Sequence, residues 1–107
     1  MYARITRFRV RVEKMERAIQ IYNESIVPAA KAQKGYRGIY LFDNKKTGEG
    51  LVLGLWDSEE DVIASEQNHF YQEQLVKVMN FFTSPPVREG YNVENFDLNL
   101  LENKGSP

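Results

Sequence analysis

The residues best equipped for chemistry are His69, Trp56, a group of further aromatics and a set of arginines. His69 is the sole histidine, and its unperturbed pKa near neutrality makes it the first candidate for proton transfer. In the run Gln67-Asn68-His69-Phe70-Tyr71 it serves equally well as a helix-end residue facing water. Trp56 stands just before Asp57 and Ser58, where a side chain can reach both a sheet and the mouth of a pocket. It is the second catalytic candidate, against the plainer role of packing a strand end. Tyr36, Tyr40, Phe42 and Tyr91, with Gly38 and Gly54 leaving room between them, can line a flat ligand pocket together with Trp56. The competing reading is that these aromatics fill a core or an interface. Arg4, Arg7, Arg9, Arg11 and Arg37 offer a cationic surface to an anion, or pair across strands with Glu49, Glu89 or Glu94.

Other chemistries lack their residues. The absence of cysteine removes disulfides, thiolate nucleophiles and sulfur-ligated metals together. A metal site would rest on one histidine and on carboxylates such as Glu59, Glu60 and Asp61, which a helix dipole explains better. No metal or other cofactor is expected. Ser58 and Ser65 have no triad partners or nucleophile-elbow pattern around them, and Gly35, Gly38, Gly48 and Gly50 do not introduce a helix as a phosphate loop would. With 14 basic and 15 acidic residues the net charge is only -1, so no overall field favours nucleic acid or an anionic membrane.

A chain of 107 residues has material for one core. Its 42% apolar and 27% charged content is that of a globular domain. We assign residues 1–103 to one domain and 104–107 to a flexible tail. Met1 to Val12 alternates arginine with apolar residues and lacks the apolar run of a signal peptide, and no stretch is long enough to span a bilayer. The default expectation is a cytoplasmic protein.

The elements that must position the candidates follow from periodicity. Tyr2 to Val12 alternates Phe8, Val10 and Val12 with Arg7, Arg9 and Arg11, which is the period of a strand. From Glu13 onward Met15, Ala18, Ile19, Tyr22, Ile26 and Ala30 recur at helical steps. Pro28 removes the hydrogen bond to the Glu24 carbonyl, so this helix must bend or change register near Glu24 to Pro28 before it ends at Gly35. Tyr36 to Asp43 and Gly50 to Trp56 form a hairpin across a polar loop. Ser58 caps a second helix, with Asp61 three residues on. A break near Gln67 and Asn68 precedes a further stretch carrying Tyr71, Leu75, Val78, Met79 and Phe82 on one face, stopped by Pro85 and Pro86. A last strand lies within Val87 to Leu98, with a bulge near Glu94 and Asn95 to account for the broken parity of Tyr91, Val93, Phe96 and Leu98. The order β-α-β-β-α-β is that of a split βαβ, ferredoxin-like α+β fold.

Leu51 to Trp56 is apolar at every position, so Leu51, Leu53 and Leu55 demand dryness on one sheet face while Val52, Gly54 and Trp56 demand it on the other. Ile39 and Leu41 on one side, and Tyr36, Tyr40 and Phe42 on the other, repeat that demand. Helices in this topology cover one face only. A second copy of the chain is therefore expected on the open face, giving a homodimer.

Three segments carry a family likeness: Ile26-Val27-Pro28, Gly35-Tyr36-Arg37-Gly38, and Leu55-Trp56-Asp57-Ser58-Glu59-Glu60. Through them and the element order, the chain resembles the antibiotic-biosynthesis-monooxygenase-like group of dimeric α+β barrels over roughly Tyr2 to Phe96. The resemblance implies oxygenation of aromatics without metal or flavin, oxidative heme breakdown, or handling of small signal and stress metabolites. Heme-degrading members look to an asparagine on the first strand and a histidine ligand after the tryptophan. Here no asparagine precedes Asn23, and His69 lies too close to Trp56, with Leu75 nearer the ligand position.

Cofactor-independent oxygenation needs a dry pocket, an acidic aromatic substrate and donors that hold its oxygens. The leading expectation is therefore a monooxygenase acting on a small aromatic or quinol-like metabolite, with His69 and Trp56 as catalytic candidates and Tyr36, Tyr40, Phe42 and Tyr91 binding the ligand. The alternative is a non-catalytic dimeric barrel that binds a small hydrophobic metabolite or acts in a stress response.

Overall fold

The computed structural model describes residues 1–97. Strand β1 (Tyr2–Arg9) is followed by a short 3-10 turn at Val12–Lys14 and a long helical segment, α1 (Met15–Ile21), a π-helical stretch at Tyr22–Ile26 and α2 (Val27–Lys31). Hairpin strands β2 (Tyr36–Asp43) and β3 (Glu49–Trp56) come next, then α3 (Glu59–Glu66), α4 (His69–Met79) and β4 (Val87–Asn92). The sheet order is β2-β3-β1-β4 with every neighbouring pair antiparallel, which is the ferredoxin-like arrangement expected from the element order.

The register change in the first helix falls where Pro28 requires it. The π-helical stretch lets the chain pass the missing N–H without a break, and Pro28 then sits in the first turn of α2, where its lost donor costs least. Gly35, at φ 84, closes the turn after α2 in the left-handed conformation. Ser58 Oγ accepts from the Asp61 N–H at 3.2 Å and Asn68 Oδ1 from the Tyr71 N–H at 3.0 Å, capping α3 and α4. Each such cap contributes about 1 kcal/mol.

Cross-strand partners sort the side chains into two faces. Arg4 opposite Gly54, Thr6 opposite Val52, and Ile39 and Leu41 on β2 face the helices. Ala3 opposite Leu55, Ile5 opposite Leu53, and Tyr40 and Phe42 beside Leu53 and Leu51 form the open face. The core packs Tyr22, Ile26, Ala29 and Ala30 of the first helical segment against Tyr71 and Val78 of α4 and the helix-side sheet residues.

Three expectations need correction. Tyr36 does not share a face with Tyr40 and Phe42. The ladder slips between Tyr36 and Gly38, so one extra residue on β2 reverses the parity and Tyr36 joins Ile39 and Leu41 against the helices. The last strand ends at Asn92 without a bulge at Glu94 and Asn95, because its partner β1 begins at Tyr2 and offers only the Met1 carbonyl, which accepts from Val93 N–H at 3.0 Å. Likewise β1 stops at Arg9, beyond which Val10 makes only an isolated bridge to Phe82. Leu98 and the tail at 104–107 lie outside the described residues.

Candidate functional site

Between the helix-facing side of the sheet and the helices lies a cavity of about 160 Å³. Phe8, Ile39, Leu41 and Val52 form its sheet-side wall, and Ile26 and Val78 face them from the helices. The walls are apolar because both layers bury their hydrophobic stripes there. The cavity persists because β3 presents Gly54 in its floor: a methyl group there would stand 3.0 Å from Trp56 Nε1.

Three donors open into this apolar space. Trp56, Tyr22 and Tyr71 are each buried and line the cavity. Among the described residues, Trp56 Nε1 and the two phenol hydroxyls make no hydrogen bond, while no polar side-chain atom is both sealed from solvent and unpaired. Each polar atom therefore keeps some accessible surface, and because all three residues line the cavity a ligand oxygen or water there can accept from them. Burial raises the Tyr71 hydroxyl to about 12, with the Glu66 carboxylate adding to the shift and Arg88 opposing it. Tyr22 is pushed up further, by burial first and then by the neighbouring phenols of Tyr71 and Tyr36. Both stay protonated near neutral pH and act as hydrogen-bond donors rather than bases.

An ion cluster stands at one end of the cavity. Arg4 holds Glu66 in a fork, Nε to Oε2 at 3.0 Å and Nη2 to Oε1 at 3.2 Å, with both side chains only 21% exposed. Arg88 Nη1 approaches the same Oε2 at 3.7 Å. All three residues line the cavity. The other β1 arginines pair on the open face, Arg7 with Glu89 at 2.9 Å and Arg9 with Glu49 at 3.5 Å, as the interstrand reading expected.

The structure divides the candidate set. Trp56 lines the cavity, and Tyr36 supports it from behind, its ring edge-on to the indole at 5.9 Å. Tyr40 and Phe42 stack on each other at 6.1 Å on the open face, 42% and 51% exposed. Tyr91, opposite Ala3, shares that face and is 50% exposed, its hydroxyl donating to Glu89 at 3.0 Å. His69 is an exposed residue in the first turn of α4 and does not line the cavity. Sequence reasoning did not single out Tyr22, Tyr71, Glu66 or Arg88. One signal was present for Arg4: its even position places it with Thr6 and Phe8, on the opposite face from Arg7 and Arg9.

Among the described residues no group of three or more histidine, cysteine, aspartate or glutamate side chains could hold a metal ion, and no helix is long and apolar enough to cross a membrane. The model of the antibiotic biosynthesis monooxygenase family matches residues 1–74, a span that contains Arg4, Tyr22, Trp56, Glu66 and Tyr71. The chain belongs to that family. Solved structures similar to this family member include Rv0793 from Mycobacterium tuberculosis, at 19% identity and TM-score 0.72 over 89% of this chain and 96% of that one. SnoaB from Streptomyces nogalater, a cofactor-independent oxygenase, is 9% identical with TM-score 0.74 over 89% and 94%. A conserved protein from Methanosarcina mazei is 12% identical with TM-score 0.72 over 85% and 91%. At these identities the likeness is one of fold. No curated protein matches the chain.

Proposed function

We propose that this family member is a cofactor-independent monooxygenase that takes a small aromatic or quinol-like metabolite into the cavity beneath Trp56. The observation that carries this reading is a set of buried donors without a hydrogen-bond partner among the described residues, Trp56 Nε1 and the Tyr22 and Tyr71 hydroxyls, on residues that line an otherwise apolar space. An electron-rich substrate anion can transfer an electron to dioxygen directly. If the reacting carbon is a methylene, one oxygen atom becomes its carbonyl and the other leaves as water with the two hydrogens. Donors placed beside the substrate oxygens stabilise the anion on which that transfer depends. The proton goes to water or to Glu66, the carboxylate on the described cavity wall, since His69 lies at the surface. The test is oxygen uptake over a panel of phenols and quinols by the wild type and a Trp56→Phe, His69→Ala double variant. Uptake that falls at least tenfold in the double variant supports the proposal; no uptake across the panel by the wild type sinks it for those substrates.

A second reading, favoured by the absence of a histidine from the cavity wall, is a non-catalytic protein that binds such a metabolite without converting it. In either case we place a homodimer on the open face, where Tyr40, Phe42, Val87 and Tyr91 are each about half exposed in the single chain. Pairing two open sheets would form the dimeric α+β barrel. The lack of cysteine fits a reducing compartment such as the cytoplasm.

A further inference from the structure

Resting on the reading of the cavity as a ligand site, we infer that its ligand is a monocyclic aromatic monoanion, seated with its charge at Arg88 and an oxygen elsewhere on its ring accepting from a buried tyrosine of the wall.

Size sets the first limit. A cavity of about 160 Å³ is close to the roughly 150 Å³ apolar cavity that accepts one benzene. Fused three- and four-ring systems exceed it. Phe8 and Gly54 bound it from the sheet side, and the Phe8 ring lies directly over Gly50, so it cannot retreat towards β3.

Charge sets the second. Arg4, Glu66 and Arg88 together carry one net positive charge at the cavity wall. Arg4 commits its Nε and Nη2 to both oxygens of Glu66, which fixes the carboxylate and leaves Arg88 with a single, longer approach of 3.7 Å. A guanidinium carries five N–H donors, so most of Arg88's fork is free to grip an anion. Arg88 is 48% exposed and stands where solvent meets the apolar wall. An entering anion therefore keeps its charged end near water while its ring is desolvated, which is the less costly direction of insertion.

The donors set the third. Tyr22 and Tyr71 are both buried in the cavity wall and present phenol hydroxyls to whatever fills it. A neutral hydroxyl or carbonyl oxygen on the ring, away from the anionic group, would accept from one of these two phenols and satisfy a buried donor. Arg88 lies on β4, beyond the residues matched by the family model, which end at 74.

The test is binding, which does not depend on turnover. Titration with 4-hydroxybenzoate and its uncharged isostere 4-hydroxybenzamide, followed by calorimetry and by quenching of Trp56, the sole tryptophan, separates charge from shape. A preference of about tenfold for the acid is expected for a half-exposed arginine contact, falling to near parity in Arg88→Gln and on addition of salt. An anthracene carboxylate, carrying the same charge on three rings, should not quench. Equal binding of acid and amide by the wild type would overturn the inference, as would tighter binding of the three-ring acid or no binding of either hydroxybenzoic compound. If the preference for the acid holds while no oxygen is consumed, the ligand class stands and the monooxygenase proposal fails. If oxygen is consumed but the preference is absent, the reverse applies.

Discussion

The Tyr36 ring meets the Trp56 indole edge-on, with centroids 5.9 Å apart and planes at 89°. The two residues face each other as the end pair of the β2-β3 ladder, and the slip between Tyr36 and Gly38 is what turns the tyrosine to the helix side. The indole thereby packs against Tyr36, with its Nε1 beside Gly54 in the cavity floor. Tyr36→Phe should retain the contact, whereas Tyr36→Leu should lose about 1 kcal/mol of edge-to-face interaction beyond its change in buried area. Urea denaturation of both variants checks this, and the leucine variant should also bind any cavity ligand more weakly.

Enlarging Gly54 tests the cavity itself. The methyl group of Gly54→Ala would press on Trp56 Nε1 at 3.0 Å and occupy the floor of the space. Ligand quenching of Trp56 should weaken severalfold with a stability loss of about 1–2 kcal/mol from the displaced indole. A variant that binds as the wild type does would show that the ligand sits elsewhere.

The Arg4–Glu66 fork is four-fifths buried, so removing one partner leaves the other facing an apolar wall. Glu66→Ala is expected to cost about 2 kcal/mol, between the values for surface and fully buried pairs. Thermal unfolding with Arg4→Met, Glu66→Ala and the double variant gives the coupling between them, and the double variant should be the more stable of the two Glu66-less proteins.

Stability should decline at high pH. The Tyr71 hydroxyl titrates at about 12 in the folded chain against an ordinary 10, and Tyr22 is raised further. A raised folded value means that the unfolded chain loses its proton first. The contribution of both tyrosines is therefore intact below pH ~10; that of Tyr71, on the order of 3 kcal/mol, is lost as pH rises through ~12, and that of Tyr22 declines over a range extending higher. Ultraviolet titration should show these two phenols ionising after the exposed ones, and urea midpoints should fall across the same interval.

A charge on the open face should separate the subunits without unfolding them. Leu53 and Tyr40 are cross-strand partners there, away from the cavity. Sedimentation of Leu53→Glu and Tyr40→Glu should show monomers with wild-type circular dichroism, and that of the wild type should show a dimer. A monomeric wild type at micromolar concentration would remove the reason for the open face's apolar content.

The sequence by itself determined the elements and the two-sided demand of the sheet. Period-two and helical repeats follow from local backbone geometry, so the strands at Tyr36–Asp43 and near Glu49–Trp56, the Ser58 cap and the register change ahead of Pro28 all stand where the residues put them. Parity along β3 also separated Val52, Gly54 and Trp56 from the leucines between them.

Only the tertiary structure decided which chemistry-bearing residues meet. A slip of one residue between Tyr36 and Gly38 reverses every face assignment before it, and the repeat of aromatics carries no mark of it. It moved Tyr36 to Trp56 and left Tyr40 and Phe42 on the opposite face. Arg4, Glu66 and Arg88 come from three elements whose approach depends on the packing of α3 against the sheet and on the register of β4 beside β1. That packing sums many weak contacts between residues distant in sequence, and no local spacing encodes it.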